Sequence, residues 1–260
     1  MKNESSNKMA QPYQKGWASD KNFWYNYGEL MFNCGSWEDA YWDVKNLIQL
    51  FNLKKGDRVL DSCCGVGRHS IELAKEGMSV TGVDITDIYI EAASQTAKEM
   101  NLLIDFKIAD VRDYCKENAF DYILNLYTSY GYFETQQEEQ RYLENVYQSL
   151  VVGGKFIIDT MSKEALARDF IEDEWFEEDS KTICLSYKII DDFSRIVNRW
   201  MIIDEKGNRQ DTTFSHKLYS GQELKNILLN VGFKNIKLYG ALDGRLYDHN
   251  VKRLVIVGEK

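Results

Sequence analysis

The stretch Val59-Leu-Asp-Ser-Cys-Cys-Gly-Val-Gly-Arg-His-Ser70 constrains this fold more than any other part of the chain. An apolar strand runs into a glycine loop and restarts as a helix, the device by which open α/β sheets build a nucleotide site at a strand end. Gly65 and Gly67 lack side chains, so backbone amides lie open to a ligand and the turn can enter positive φ. The start of the next helix, at Arg68 to Ser70, adds a partial positive charge. A nucleotide cofactor with an anionic group suits such a loop. The neighbouring residues decide which one.

Taken in order, residues 1–16 are polar and carry the only proline, Pro12, as a frayed leader does. Aromatic residues then crowd together at Trp17, Phe23, Trp24, Tyr25, Tyr27 and Phe32. That density needs a surface: either the segment packs on the core, or it closes as a flap over a ligand. Ser36 with Asp39 reads as a capping box for an amphipathic helix through Val44, Ile48 and Phe51. Strands at Arg58–Asp61, Ser79–Val83, Ile104–Ile108, Tyr122–Leu126 and Lys155–Ile158 then alternate with helices, the fourth helical stretch opening at a Thr135/Glu138 capping box and breaking at Gly153-Gly154. Such alternation implies a mostly parallel sheet covered by helices on both faces.

The rhythm fails after Asp159. An acidic patch from Glu172 to Asp179 precedes β-rich segments at 182–190, 195–204 and 211–219, with a hairpin turn at Asp204-Glu-Lys-Gly-Asn208. A capping box at Ser220/Glu223 restores the pattern with a helix and the strand Lys234–Tyr239. Only Gly240–Val251 separates that strand from the last, Arg253–Gly258, which is short for a parallel crossover and predicts an antiparallel final strand.

Three acids end successive strands around the loop: Asp61, Asp84 and Asp110. Ionised carboxylates only accept hydrogen bonds, so they suit an ammonium group, two ribose hydroxyls and an adenine amine better than a pyrophosphate. A nicotinamide fingerprint also wants a small residue where Ser70 stands. With a net charge of −9, the chain disfavours a nucleic-acid backbone as partner. No apolar run reaches the length of a membrane span, and no signal segment opens the chain. Five cysteines without paired spacing fit reduced thiols in the cytoplasm, and three scattered histidines give no metal signal.

This arrangement resembles the class I S-adenosylmethionine-dependent methyltransferases. Cys63-Cys-Gly-Val-Gly-Arg-His69, Leu124-Asn-Leu-Tyr-Thr-Ser-Tyr-Gly-Tyr-Phe133, His216-Lys-Leu-Tyr-Ser220 and Asp243-Gly-Arg-Leu-Tyr-Asp248 are similar to a bacterial subgroup acting on small molecules. The resemblance implies a Rossmann-like, doubly wound, mostly parallel seven-stranded sheet with an antiparallel last strand, while the flanking segments read as an N-terminal leader and helical cap (1–55) and an antiparallel β insert (162–216). The cofactor domain is expected at 56–161 and 217–260. The resemblance places Asp61, Gly65 and Gly67 around the methionine moiety, Arg68 near its carboxylate, Asp84 on the ribose, and Ile85, Asp110 and Val111 at the adenine. It puts the backbone of Asn125 and Leu126 on the methionine part, and Tyr25 joins the set from the aromatic segment.

The expected reaction is methyl transfer from S-adenosylmethionine, leaving S-adenosylhomocysteine, to a small-molecule acceptor, with nitrogen favoured over oxygen. The alternatives are a non-catalytic S-adenosylmethionine sensor or partner subunit and an NAD(P)-dependent oxidoreductase. A monomer or homodimer is expected. Tyr127 and His216 are the catalytic candidates, Tyr127 at the acceptor mouth with Tyr130 and Tyr132. His216 serves either as a proton acceptor at the pocket rim or as a structural hydrogen-bond partner. Asp159 faces substrate or solvent, His69 packs a helix end, Cys63 and Cys64 pack beneath the loop, and Arg199 and Arg245 are either anion ligands or solvated.

Overall fold

Period-two alternation along the strands carries the architecture. In this computed structural model, which describes Tyr13, residues 16–32 and residues 34–260, consecutive strand residues feed opposite cores. The expected leader around Pro12 lies outside the described residues. The chain runs α1 (Lys21–Met31), α2 (Cys34–Phe51), β1 (Arg58–Ser62), α3 (Arg68–Lys75), β2 (Ser79–Asp84), α4 (Asp87–Glu99), β3 (Ile104–Ile108), β4 (Phe120–Asn125), α5 (Gln136–Ser149) and β5 (Leu150–Thr160). It continues through α6 (Lys163–Asp169), β6 (Asp173–Glu178), β7 (Lys181–Ile190), β8 (Arg195–Ile203) and β9 (Arg209–Lys217) to α7 (Gly221–Val231), β10 (Lys234–Tyr239) and β11 (Leu254–Glu259).

The main sheet has the order β10-β11-β5-β4-β1-β2-β3, parallel except that β11 runs antiparallel to both β5 and β10. Ile123, Phe156, Ile158 and Ile256 pack against α5 and α7 residues such as Leu143, Val146 and Leu228. Leu124, Ile157, Val255 and Val257 face the other way, toward Val44 and Leu47 of α2 and Leu73 of α3. β6 to β9 form a separate four-stranded antiparallel sheet, with β8 and β9 joined across 204–208.

Three local expectations need correction. Gly153-Gly154 does not break a helix: α5 ends at Ser149, and β5 runs through the glycines with a register slip between Phe120↔Leu150 and Tyr122↔Lys155. Ser36 is no cap, because α2 already begins at Cys34. The acidic patch is itself a strand, the exposed edge β6.

The aromatic segment finds its surface on the insert. Trp17, Phe23 and Tyr27 cluster with Ile202 and Phe214, and Trp200 packs against them. The Trp17 and Phe214 ring centroids are 4.6 Å apart. On its other side α1 is tied to α4: Lys21 pairs with Asp87, and the Tyr89 hydroxyl donates to the Trp24 carbonyl at 2.9 Å. Glycine at position 28 makes this approach possible, since a Cβ there would lie 2.0 Å from Tyr89 Oη. α1 therefore bridges the insert and the main sheet above the strand ends that hold the glycine loop.

Candidate active site

The C-terminal ends of β1, β2 and β4 open into a cleft with two lobes. The larger, about 350 Å³, is bordered by Asp61, Gly65, Arg68, His69, Leu126 and Tyr127 among others. The smaller, about 110 Å³, is bordered by Ile85, Asp110, Val111 and Arg112. Trp24, Cys63, Asp84 and Tyr132 belong to both. The larger lobe alone falls within the ~300–1,000 Å³ usual for small-molecule sites.

Two carboxylates form its floor, Asp61 buried and Asp84 half-buried. Asp61 accepts from the Ser70 hydroxyl at 2.6 Å. Burial raises its pKa, while His69, Ser70 and Arg68 counteract. Asp84 accepts from the Gly65 amide and the Thr86 amide, each at 2.9 Å, which fastens the loop to β2. Burial raises the Asp84 pKa too, against the pull of those amides. Gly65 sits at φ 53, and a Cβ there would meet the Phe32 ring at 2.9 Å, so Phe32 closes over bare backbone. Gly67 serves packing: its Cβ would strike Ala93 and the Phe106 ring at 2.8 Å.

Arg68 is buried, donates to the Ser36 carbonyl at 2.9 Å and stacks 3.8 Å from the Tyr127 ring centre. Tyr127 and Thr128 occupy left-handed backbone at φ 60 and 68, a strain that persists only when surroundings enforce it. Asp159 does so. Its carboxylate accepts from the Tyr127 amide at 3.1 Å, and its carbonyl from the Thr128 amide at 3.0 Å. It faces neither substrate nor solvent, being buried and held by Arg253 at 2.8 and 2.6 Å.

At the small lobe Asp110 is grasped by Arg112, with Nε 2.9 and 3.0 Å from its two oxygens, and Arg112 also reaches Glu138 at 2.7 Å. Burial works against this carboxylate's charge, but the Arg112 hydrogen bonds hold its pKa below the usual range. Asn125 is fully buried, and its side chain donates to the Tyr142 hydroxyl at 3.0 Å.

Several expected residues are placed elsewhere. Tyr25 is 58% exposed and borders neither lobe; Trp24 and Phe32 of the same segment do. His216 lies on β9, buried, with Nδ1 3.4 Å from Asn198 Nδ2 and Nε2 without a partner. Its ring packs on Tyr132 of the cleft wall, whose ring centre is 6.0 Å away. Tyr130 is core, donating to Glu139 at 2.8 Å, not a mouth residue. Cys63, expected beneath the loop, borders both lobes; burial pushes its thiol and that of Cys64 upward, which keeps them protonated. Arg199 and Arg245 are neutralised by Asp211 and Asp243. Sequence reasoning gave no sign of Arg112 or Arg253, and read His69 only as packing. Their partners stand far off in the chain or, for Arg112, in a loop without pattern.

A cleft floored by carboxylates whose partners are hydroxyl and amide donors, walled by aromatic rings and flanked by one buried guanidinium, fits a ligand with cationic, hydroxyl and carboxylate groups. S-Adenosylmethionine has all three. A family model described as a methyltransferase domain matches residues 53–231. YqeM of Bacillus subtilis (strain 168), which carries a methyltransferase name, is 26% identical over 188 residues, covering 70% of this chain and 76% of that protein. The fold is shared with an S-adenosylmethionine-dependent methyltransferase from Clostridium acetobutylicum ATCC 824, at TM-score 0.73 and 17% identity over 92% of this chain and 97% of that one. It is shared also with S-adenosylmethionine-bound CalS10, an amino pentose methyltransferase from Micromonospora echinaspora, at TM-score 0.66 and 16% identity over 96% and 99%.

Proposed function

The chain belongs to the class I S-adenosylmethionine-dependent methyltransferases, and from that premise we propose that it methylates an amine nitrogen of a small molecule. The observation carrying this reading is the rim of the larger lobe. Asp39 and Asp43 of α2 contact two residues that border the lobe, with Tyr127 Oη 3.4 Å from Asp39 and His69 Nε2 3.2 Å from Asp43. Carboxylates and an aromatic face attract an ammonium ion from solution. The amine reading also accords with the amino sugar named for CalS10.

Bound S-adenosylmethionine supplies a methyl group already activated on a sulfonium. The protein's share is then alignment and the exclusion of water. In this reading Asp61 takes the cofactor's ammonium, Arg68 its carboxylate and Asp84 the ribose hydroxyls, while Ile85 and Val111 enclose the adenine beside Asp110. The backbone at Asn125 and Leu126 borders the methionine part. Tyr127 orients the acceptor, and Trp24 and Tyr132 keep water from the reacting atoms.

Calorimetry with S-adenosylhomocysteine tests the cofactor assignment. Asp84→Ala loses hydrogen bonds to a charged group, and affinity falls about 10–100-fold. Release of S-adenosylhomocysteine, screened over amino sugars, amino acids, polyamines and phenols, tests the acceptor. Turnover confined to phenols would remove the amine reading and leave the cofactor assignment intact.

A further inference from the structure

One residue in the wall of the larger lobe, paired with a carboxylate outside it, is assigned no part in holding the cofactor. His69, the second residue of α3, is 5% exposed and borders the lobe with Asp61 and Tyr127. Its Nε2 lies 3.2 Å from Asp43 Oδ2 on the facing helix α2, and Asp43 keeps a quarter of its side chain in solvent. The Tyr127 ring centre is 6.5 Å from the imidazole.

We propose that His69 takes the proton that the acceptor gives up in methyl transfer, with Asp43 as its positioning residue; this rests on the amine reading above. An amine that arrives as an ammonium ion has no lone pair until one N–H proton leaves. The freed lone pair then forms the new N–C bond as the C–S bond breaks with its electrons passing to sulfur. A carboxylate at Nε2 holds the imidazole proton there and leaves Nδ1 as the basic nitrogen. The N–H proton passes to Nδ1, the resulting imidazolium is balanced by Asp43, and the exposed side of Asp43 returns the proton to water.

The groups facing His69 are consistent with this. Asp43 comes from α2, Asp61 from β1, Tyr127 from the loop after β4, and Arg68 from the imidazole's own helix. Arg68 is already turned to the Ser36 carbonyl and the Tyr127 face. Nor is the pair needed merely to join the helices: Lys45 of α2 reaches Glu76, the cap at the end of α3, at 2.7 Å, and Arg68 at the start of α3 reaches the Ser36 carbonyl.

The full-length chain without ligands gives the first test. Nitrogen NMR of the His69 imidazole is expected to show the Nε2–H form in wild type and a loss of that preference in Asp43→Ala; an Nδ1–H form in wild type overturns the proposal. The second test compares His69→Gln with wild type on the fastest amine of the screen. S-Adenosylhomocysteine affinity should stay within about threefold, while kcat falls about 100-fold, the lower end of general-base effects. The milder Asp43→Asn should lose about tenfold in kcat. Unchanged kcat in His69→Gln, or a loss confined to cofactor affinity, overturns the proposal. If no amine turns over, the amine reading fails and the proton-transfer role falls with it, whereas an Nδ1–H form in wild type overturns that role alone and leaves the amine reading standing.

Discussion

Burial fixes the behaviour of His216 more firmly than any partner does. Desolvation, helped by Arg195, lowers its pKa from the ordinary 6.5 to about 4. Above pH 6.5 the folded and unfolded chains both carry it neutral, and it exacts no cost. Between pH 6.5 and 4 the unfolded chain takes up a proton that the folded chain refuses, so stability drops by about 3 kcal/mol across that window. His216→Gln removes this component. The gap in melting temperature between pH 7 and pH 4.5 should therefore be smaller in the variant, and an unchanged gap would mean that the imidazole is protonated in the fold. At this scale the sequence was readable where chemistry repeats locally: Asp61, Gly65 and Asp84 each sit at a strand end or in the loop beside it. The pairing of His69 with Asp43 was not, because it depends on how two helices pack and leaves no periodic trace.

Helix α1 is the element whose placement controls the cleft. It presses its aromatic face on the insert while Trp24, Leu30 and Phe32 wall the larger lobe. Gly28→Ala forces a methyl group against Tyr89 Oη, and the overpacking costs about 1–3 kcal/mol. S-Adenosylhomocysteine affinity should weaken about tenfold, and adding Tyr89→Phe, which removes the obstructing oxygen, should restore most of it. Failure of that rescue would show the helix displaced for another reason. Element type was legible wherever caps and apolar periods agreed, as at Thr135/Glu138 and Ser220/Glu223, both complete capping boxes. It failed at Gly153-Gly154, where helix stop and strand bulge share the same two letters, and at 173–178, where alternating contact with a neighbouring strand outweighs a run of acids.

Across the whole molecule, one buried carboxylate joins the insert to the main sheet. Glu139 of α5 accepts from the Tyr130 and Tyr219 hydroxyls at 2.8 and 2.6 Å and pairs with Lys217 at 3.1 Å, where the chain leaves β9. Glu139→Leu strands two buried hydroxyls and should cost about 2–4 kcal/mol. Hydrogen exchange should then quicken in β8 and β9 before it does in β1 and β4; uniform quickening would indicate one cooperative unit instead. The sheet order carries a further consequence, for biosynthesis. β5 is complete at residue 160, yet its free edge waits for β11, which begins at residue 254. At about 5–20 residues per second, the nascent chain exposes that edge for roughly 5–20 s. Arg253 arrives with the same strand, so its hold on Asp159 and on the Thr128 hydroxyl also forms last. During that interval the emerging insert is the part of the chain nearest to hand, and a chaperone that shields open sheet edges has its target there.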